Sequence, residues 1–399
     1  MSESSPESAA AEAAEQADGE KQPPLRSVHT TNFPQILAEA RASVLVTTYQ
    51  AGKLVILRND GGVLNTHFRN FMKPMGLAHR NGKLAVGASV DIWEFQNVPA
   101  VCPKLDAKEE EPEDGKSETA SKSETAKSGV RNSSPKHDAC FLPRRSHTTG
   151  DVQIHEMAWV EDELWFVNTA FSCLATRSEV YNFEPRWRPK FVSRLQPGDL
   201  CHLNGLATRD GRVRYVTALG ETNEPGGWRE NKRSGGVLID VDTSEVIARG
   251  LSMPHSPRWY RDRLWLLESG DGSLGFVDLA TGKYQMVAQA PGFTRGLSFL
   301  GPLAFVGLSQ VRESAVFSGI PLVERLEERT CGVWVIHIET GQTVAFVRFE
   351  DALQEIFAVE LLPGAQYPDL VNHDIELIGR SYVLAEAALA DVPAELRST

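Results

Sequence analysis

The sequence predicts an all-β protein, a six-bladed β-propeller of four-stranded antiparallel blades, on three observations. A short hydrophobic couplet recurs six times: Met75-Gly76-Leu77-Ala78, His155-Glu156-Met157-Ala158, Asn204-Gly205-Leu206-Ala207, His255-Ser256-Pro257-Arg258, Arg295-Gly296-Leu297-Ser298 and Glu355-Ile356-Phe357-Ala358. A turn and a second apolar run follow the first five copies, as in Arg209-Asp210-Gly211-Arg212 and then Val213-Arg214-Tyr215-Val216. Asp-Gly and Asn-Gly between such runs are hairpin signals. Later copies stand 49, 51, 40 and 61 residues apart, mostly near the roughly 40–50 residues of a propeller blade.

The elements follow in chain order. Residues 1–24 carry six acidic residues against one lysine and are expected as a disordered acidic tail, too poor in apolar surface to fold. A short helix is expected around residues 34–41. Strands at 44–49 and 53–57 have no couplet before them. They complete the last blade, whose first strand comes from beyond Glu355, and this closure locks the ring.

The propeller is expected to span 33–372. The first couplet spacing is 80 residues and contains a Lys/Glu/Ser-rich run with KSETA repeated. Residues 104–136 are therefore read as a disordered inserted loop. Without it the spacing falls to 47. Second hairpins are expected at 237–247, 274–287 and 333–347. Residues 373–399 form a tail, with a short docked helix at 382–394.

Composition bounds the function. The chain has 399 residues, 41% hydrophobic and 24% charged, as in a soluble globular protein. The net charge of −12 argues against general nucleic-acid binding. No apolar run approaches the ~20 residues that span a bilayer. The N-terminus lacks the basic region and apolar core of a secretory signal, so the expected compartment is the cytoplasm. Five dispersed cysteines, Cys102, Cys140, Cys173, Cys201 and Cys331, suggest buried thiols rather than disulfides or a CxxC metal site.

The innermost strand of a blade lines the central channel, and each couplet begins one. Met75, His155, Asn204, His255 and Arg295 should therefore meet around one mouth, with Glu156 one step further in and Glu355 near the sixth place. Connections after the second strand return to this mouth. Those at 170–190, 221–235 and 309–329 are long and carry Arg186, Trp187, Trp228, Arg229 and Arg312. Long loops in compact folds are commonly functional.

Three readings of the ring stand side by side. The polar side chains could satisfy buried carbonyls and hold blades in register. His155, His255 and His202, with Glu156 or Glu355, have the chemistry of a divalent-metal site. Without metal, His155 or His255 would serve acid–base roles and Arg295 would hold an anion. Asn204, His202, Glu355, Arg186, Trp187, Trp228 and Arg229 are candidate ligand contacts. No GxSxG, Walker A or HExxH sequence is present.

The stretches PRRSHTTGDVQIHEMAW (143–159), LNGLA (203–207), MPHSPRW (253–259) and TRGLSF (294–299) resemble a family of bacterial propeller-like proteins, a domain of unknown function sometimes fused to tetratricopeptide repeats. The resemblance runs over about residues 33–372 and implies the propeller, with no activity to transfer. Six-bladed lactonase-like hydrolases are a looser likeness. Their metal site relies on Glu, Asn and Asp, whereas this ring offers His and Arg. The expected function is a binding module for a small molecule or protein partner. The alternative is a propeller hydrolase or lyase using His155, Glu156, His255 and Arg295, with or without a divalent metal.

Overall fold

The computed structural model describes residues 25–109, 136–311, 318–394 and 397. The expected acidic tail, most of the expected insert, and Arg312 lie outside them. Within the described residues, six antiparallel sheets form the six blades, each beginning at a couplet. Blade 1 spans 77–148, blade 2 154–187, blade 3 203–251, blade 4 254–289 and blade 5 293–349.

Blade 6 closes the ring. Its innermost strand, Ala358–Pro363, pairs with Ala42–Thr48, and Lys53–Asp60 and Val63–Asn70 complete it. The chain ends are thus joined by main-chain hydrogen bonds and by a shared core. Val44, Val46, Leu57, Val359 and Leu361 pack there with Phe33 and Leu37 of the helix Phe33–Ala40. Two blades gain a fifth, outer strand. Ser27–His29 extends blade 5, and Pro368–Leu370 lies parallel on blade 1.

Apolar faces pack blade against blade. Trp265 of blade 4 is fully buried, 5.5 Å from Phe276 and from Phe299 of blade 5. The couplet glycines serve this closeness. A Cβ on Gly205 would stand 2.3 Å from Pro257 Cδ, and Gly296, at φ 83°, leaves only 2.6 Å to Val359 N. Any side chain there would push neighbouring blades apart.

A belt of hydroxyls at the ends of the second strands stitches the seams. Thr169 Oγ1 donates to Leu203 O, Ser269 Oγ to Thr294 O, and Thr47 Oγ1 to Met75 O. Ser309 Oγ donates to Ile356 O and accepts from Ile356 N. At the blade 3–4 seam the link is relayed. Thr217 Oγ1 donates to Asn204 Oδ1, and Asn204 Nδ2 donates to Pro254 O. These groups are buried, so each bond also settles a carbonyl that would otherwise lack a partner.

Two expectations about the chain are revised. The helix Cys102–Glu109 runs into the segment read as the insert, because Leu105 finds an apolar seat beside Cys102, Cys140 and Leu377. The connection 170–190 is not one long loop. It contains the third and fourth strands of blade 2, Cys173–Thr176 and Glu184–Trp187. All five cysteines are buried thiols. No helix among the described residues is long and apolar enough to cross a membrane.

Thr47 offers a test of the belt. Thr47→Val keeps the shape but strips Met75 O and Ala358 N of their hydroxyl partner. Unfolding free energy measured in urea should fall by about 1–3 kcal/mol. An unchanged midpoint would show that the seam does not depend on the hydroxyl.

Candidate functional site

The couplet mouth opens into a cavity of about 370 Å³. Side chains two apart on a strand share a face, and four blades contribute both their first couplet residue and the residue two before it. Met75 and Lys73, His155 and Gln153, His255 and Met253, and Arg295 and Phe293 all line the cavity. Lys73, Gln153, His202 and Met253, each two residues before a couplet, have φ between 47° and 53°. This left-handed conformation costs about 1–2 kcal/mol in a non-glycine residue. Its recurrence at one position points to a geometry the ring requires.

The two histidines show what the geometry achieves. His155 Nδ1 lies 2.9 Å from Gln153 O and 2.8 Å from Thr169 Oγ1. His255 Nδ1 lies 2.9 Å from both Met253 O and Ser269 Oγ. A carbonyl only accepts, so Nδ1 carries the proton in each ring. The hydroxyl hydrogens are committed to carbonyls of the next blade. Both imidazoles therefore present an Nε2 lone pair. Burial holds both pKa values well below the ordinary histidine value, helped by the charge of Arg295. They are neutral at pH 7.

Arg295 lies beside them, its guanidinium carbon 3.6 Å from the centre of the Phe357 ring. Among the described residues no carboxylate stands within ion-pair distance of it; burial lowers its pKa to about 10, against the more distant charges of Glu355 and Glu156. It remains a cation at neutral pH. The Phe357 ring also meets His155, at 4.9 Å between centroids. Tyr49 lines the same wall, with Glu355 within hydrogen-bond reach, and burial raises its pKa to about 12.

Another part of the lining is built on Asp199. Its Oδ2 accepts from His202 Nδ1 at 2.8 Å and from Trp228 Nε1 at 3.0 Å. Arg229 Nη2 stands 3.9 Å away, with its guanidinium over Trp228. The His202 ring sits 4.8 Å from His155 and 4.5 Å from Trp228. Asp199 Oδ1 is buried without a hydrogen-bond partner.

The structure thus brings together His155, His255, Arg295, His202, Trp228 and Arg229 and separates them from other candidates. Glu156 follows His155 and so points away from the mouth. It pairs with Arg258 at 2.7 Å inside the channel, near Glu360. Glu355 stands behind Tyr49. With both carboxylates engaged elsewhere, the expected metal set does not converge, and the described residues hold no cluster of three or more His, Cys, Asp or Glu suited to a metal. Asn204 is 2% exposed and spends its amide on the blade 3–4 seam.

Arg186 and Trp187 lie on the outermost strand of blade 2, because the segment expected as a loop is strand. Arg186 pairs with Glu163, and Trp187 donates to Ser244.

Sequence reasoning missed Asp199, Tyr49, Phe357, Lys73, Gln153, Met253 and Phe293. Two signals were available. One is the period of two, which places the residue two before each couplet on the same face. The other is a Thr or Ser fourteen residues after each histidine, Thr169 and Ser269. Asp199, three residues before His202, comes from a blade-to-blade connection with no repeat to mark it.

A family model described as Domain of unknown function (DUF4915) matches residues 31–115 and 119–371. The chain belongs to this family. No curated protein matches it. Among solved structures it is similar to a chain of a nidogen/laminin complex, at 8% identity and a TM-score of 0.48, over 81% of this chain and 99% of that one. A protein of unknown function from Bacteroides caccae is similar at 9% identity and 0.47, over 80% and 98%. A catalytically inactive virginiamycin B lyase from Staphylococcus aureus with quinupristin is similar at 9% and 0.39, over 82% and 98%.

The histidine assignment has a direct check. In ¹⁵N-labelled protein, long-range ¹H–¹⁵N NMR should show His155 and His255 as Nδ1–H tautomers that do not titrate near pH 6.5. A folded-state pKa below the unfolded one means that protons favour the unfolded chain as pH falls. Stability should therefore be lost on acidification through about pH 6.5, with a limiting slope of about 1.4 kcal/mol per pH unit per histidine. That loss should be shallower in His155→Gln and His255→Gln. A ring titrating near pH 6.5 would contradict the assignment.

Proposed function

We propose that this propeller is a binding module that holds a small organic anion in the couplet mouth, with the anionic group on Arg295. The unpaired guanidinium is the observation that carries the reading. A buried arginine is costly without a counter-charge, and guanidinium suits a carboxylate or phosphate bidentately. Lys73 and Arg229 add positive charge at the lining. Phe357, Tyr49, Phe293 and Trp228 supply apolar wall for the body of the ligand. A cavity of about 370 Å³ is in the range of small-molecule sites, roughly 300–1,000 Å³.

The free Nε2 atoms favour a second reading, a lyase or hydrolase at the same site. A neutral imidazole with an exposed lone pair is a general base. Glu156 has no part in it, being held by Arg258. Turnover of a bound carboxylate, followed by ¹H NMR and abolished in His155→Gln, would move the protein into that class.

The binding reading is tested with 3-phenylpropanoate and its neutral amide, 3-phenylpropanamide, by saturation-transfer NMR and calorimetry. The carboxylate should bind the wild-type protein and the amide much more weakly. Arg295→Gln should cost the carboxylate at least about tenfold in affinity, the scale of a lost charge-assisted hydrogen bond. Equal binding of acid and amide, or an unaffected Arg295→Gln variant, would overturn the reading.

A further inference from the structure

The pocket offers acceptors as well as donors, and this specifies its ligand further. Arg295 offers only donors. Past Phe357 the lining holds acceptors as well as the Arg229 cation. His155 and His255 are locked with the proton on Nδ1 by Gln153 O and Met253 O, so each presents a lone pair at Nε2. Asp199 is 9% exposed, and its Oδ1 has no partner although Oδ2 is doubly engaged. A buried carboxylate oxygen without a donor is expensive. Asp199 lines the cavity, so its charge favours a cationic group there.

We propose that the pocket takes an amino-carboxylate: an α-amino acid or a similar zwitterion with an apolar body, its carboxylate on Arg295 and its ammonium among Asp199, His155 and His255. This deepens the anion-binding reading and rests on it. The order of groups along the wall supports it. Arg295 stacks on Phe357, Phe357 meets His155, His155 meets His202, and His202 leads to Asp199. Arg295 and Asp199 therefore line one cavity, linked through Phe357, His155 and His202. An ammonium carries three donors, the two Nε2 atoms have no other partners, and the Asp199 carboxylate, which lines the same cavity, supplies a negative charge. The aromatic rings also suit a cation close by.

Three probes that share one carbon skeleton separate the possibilities. L-Phenylalanine, L-3-phenyllactate and 3-phenylpropanoate differ only at the α-position, which bears ammonium, hydroxyl or hydrogen. Calorimetry on the full-length protein at pH 7 should rank phenylalanine at least tenfold tighter than 3-phenylpropanoate, with phenyllactate between. In Asp199→Asn the advantage of phenylalanine should shrink to within about threefold, while 3-phenylpropanoate keeps its affinity. The wild-type ranking stands as a test even if that variant fails to fold. Phenylalanine binding no better than 3-phenylpropanoate, or phenyllactate matching phenylalanine, would overturn the amino-carboxylate assignment and leave the anion site intact. Equal binding of 3-phenylpropanoate and its amide would instead remove the anion site itself.

Discussion

The hydrogen bond from the end of one blade's second strand to a carbonyl at or beside the start of the next blade's couplet is the constraint on which the rest of the ring depends. It occurs directly at four seams, through Thr47, Thr169, Ser269 and Ser309, and through the Asn204 relay at a fifth. Apolar packing between blades is strong but directionless. The hydroxyl fixes how far one blade can slide along its neighbour, because its acceptor is a single buried carbonyl. At the blade 2–3 and 4–5 seams the same hydroxyl also receives a histidine Nδ1–H. The bond that sets the ring thereby sets the tautomer of the groups in its mouth.

That coupling explains how a structural belt becomes a chemical site. A histidine free to rotate would present either nitrogen and would titrate with its surroundings. Here the left-handed turns at Gln153 and Met253 aim carbonyls at Nδ1, and burial beside Arg295 keeps the rings neutral. Backbone strain of this kind persists where the surroundings over-determine it and where orientation matters. Asp199 does the same for His202 from a connection between blades. The outcome is a small cavity lined both by the Arg295 and Arg229 donors and by the histidine lone pairs.

Much of the fold was legible in the sequence because its signals are local and repeated. Asp-Gly turns, alternating apolar runs and couplet spacing report blade after blade, and the unpaired N-terminal strands announce the closure. The short third strand Cys173–Thr176 was not legible. Its residues are small, and its strand character comes from pairing with Trp165–Asn168 rather than from propensity. Reading it as loop carried Arg186 and Trp187 to the wrong part of the molecule. The site was legible only where it repeats: His155, His255 and Arg295 announce themselves by position, and Trp228 and Arg229 by the length of their connection. Asp199, Tyr49 and Phe357 carry no such mark.

By itself the sequence determined the six-bladed ring, its closure and the circle of positions at one mouth, because hydrophobic period and turn chemistry act over a few residues. Only the tertiary structure decided which of those positions face the cavity. Glu156 and Asn204 occupy couplet positions as plainly as His155 does, yet one is turned inward to Arg258 and the other spends its amide on a seam. The reason is that a strand alternates its faces and a buried polar group takes whichever partner the neighbouring blade presents. That partner lies 50 residues away for Asn204 and 102 for Glu156, beyond the reach of any local pattern.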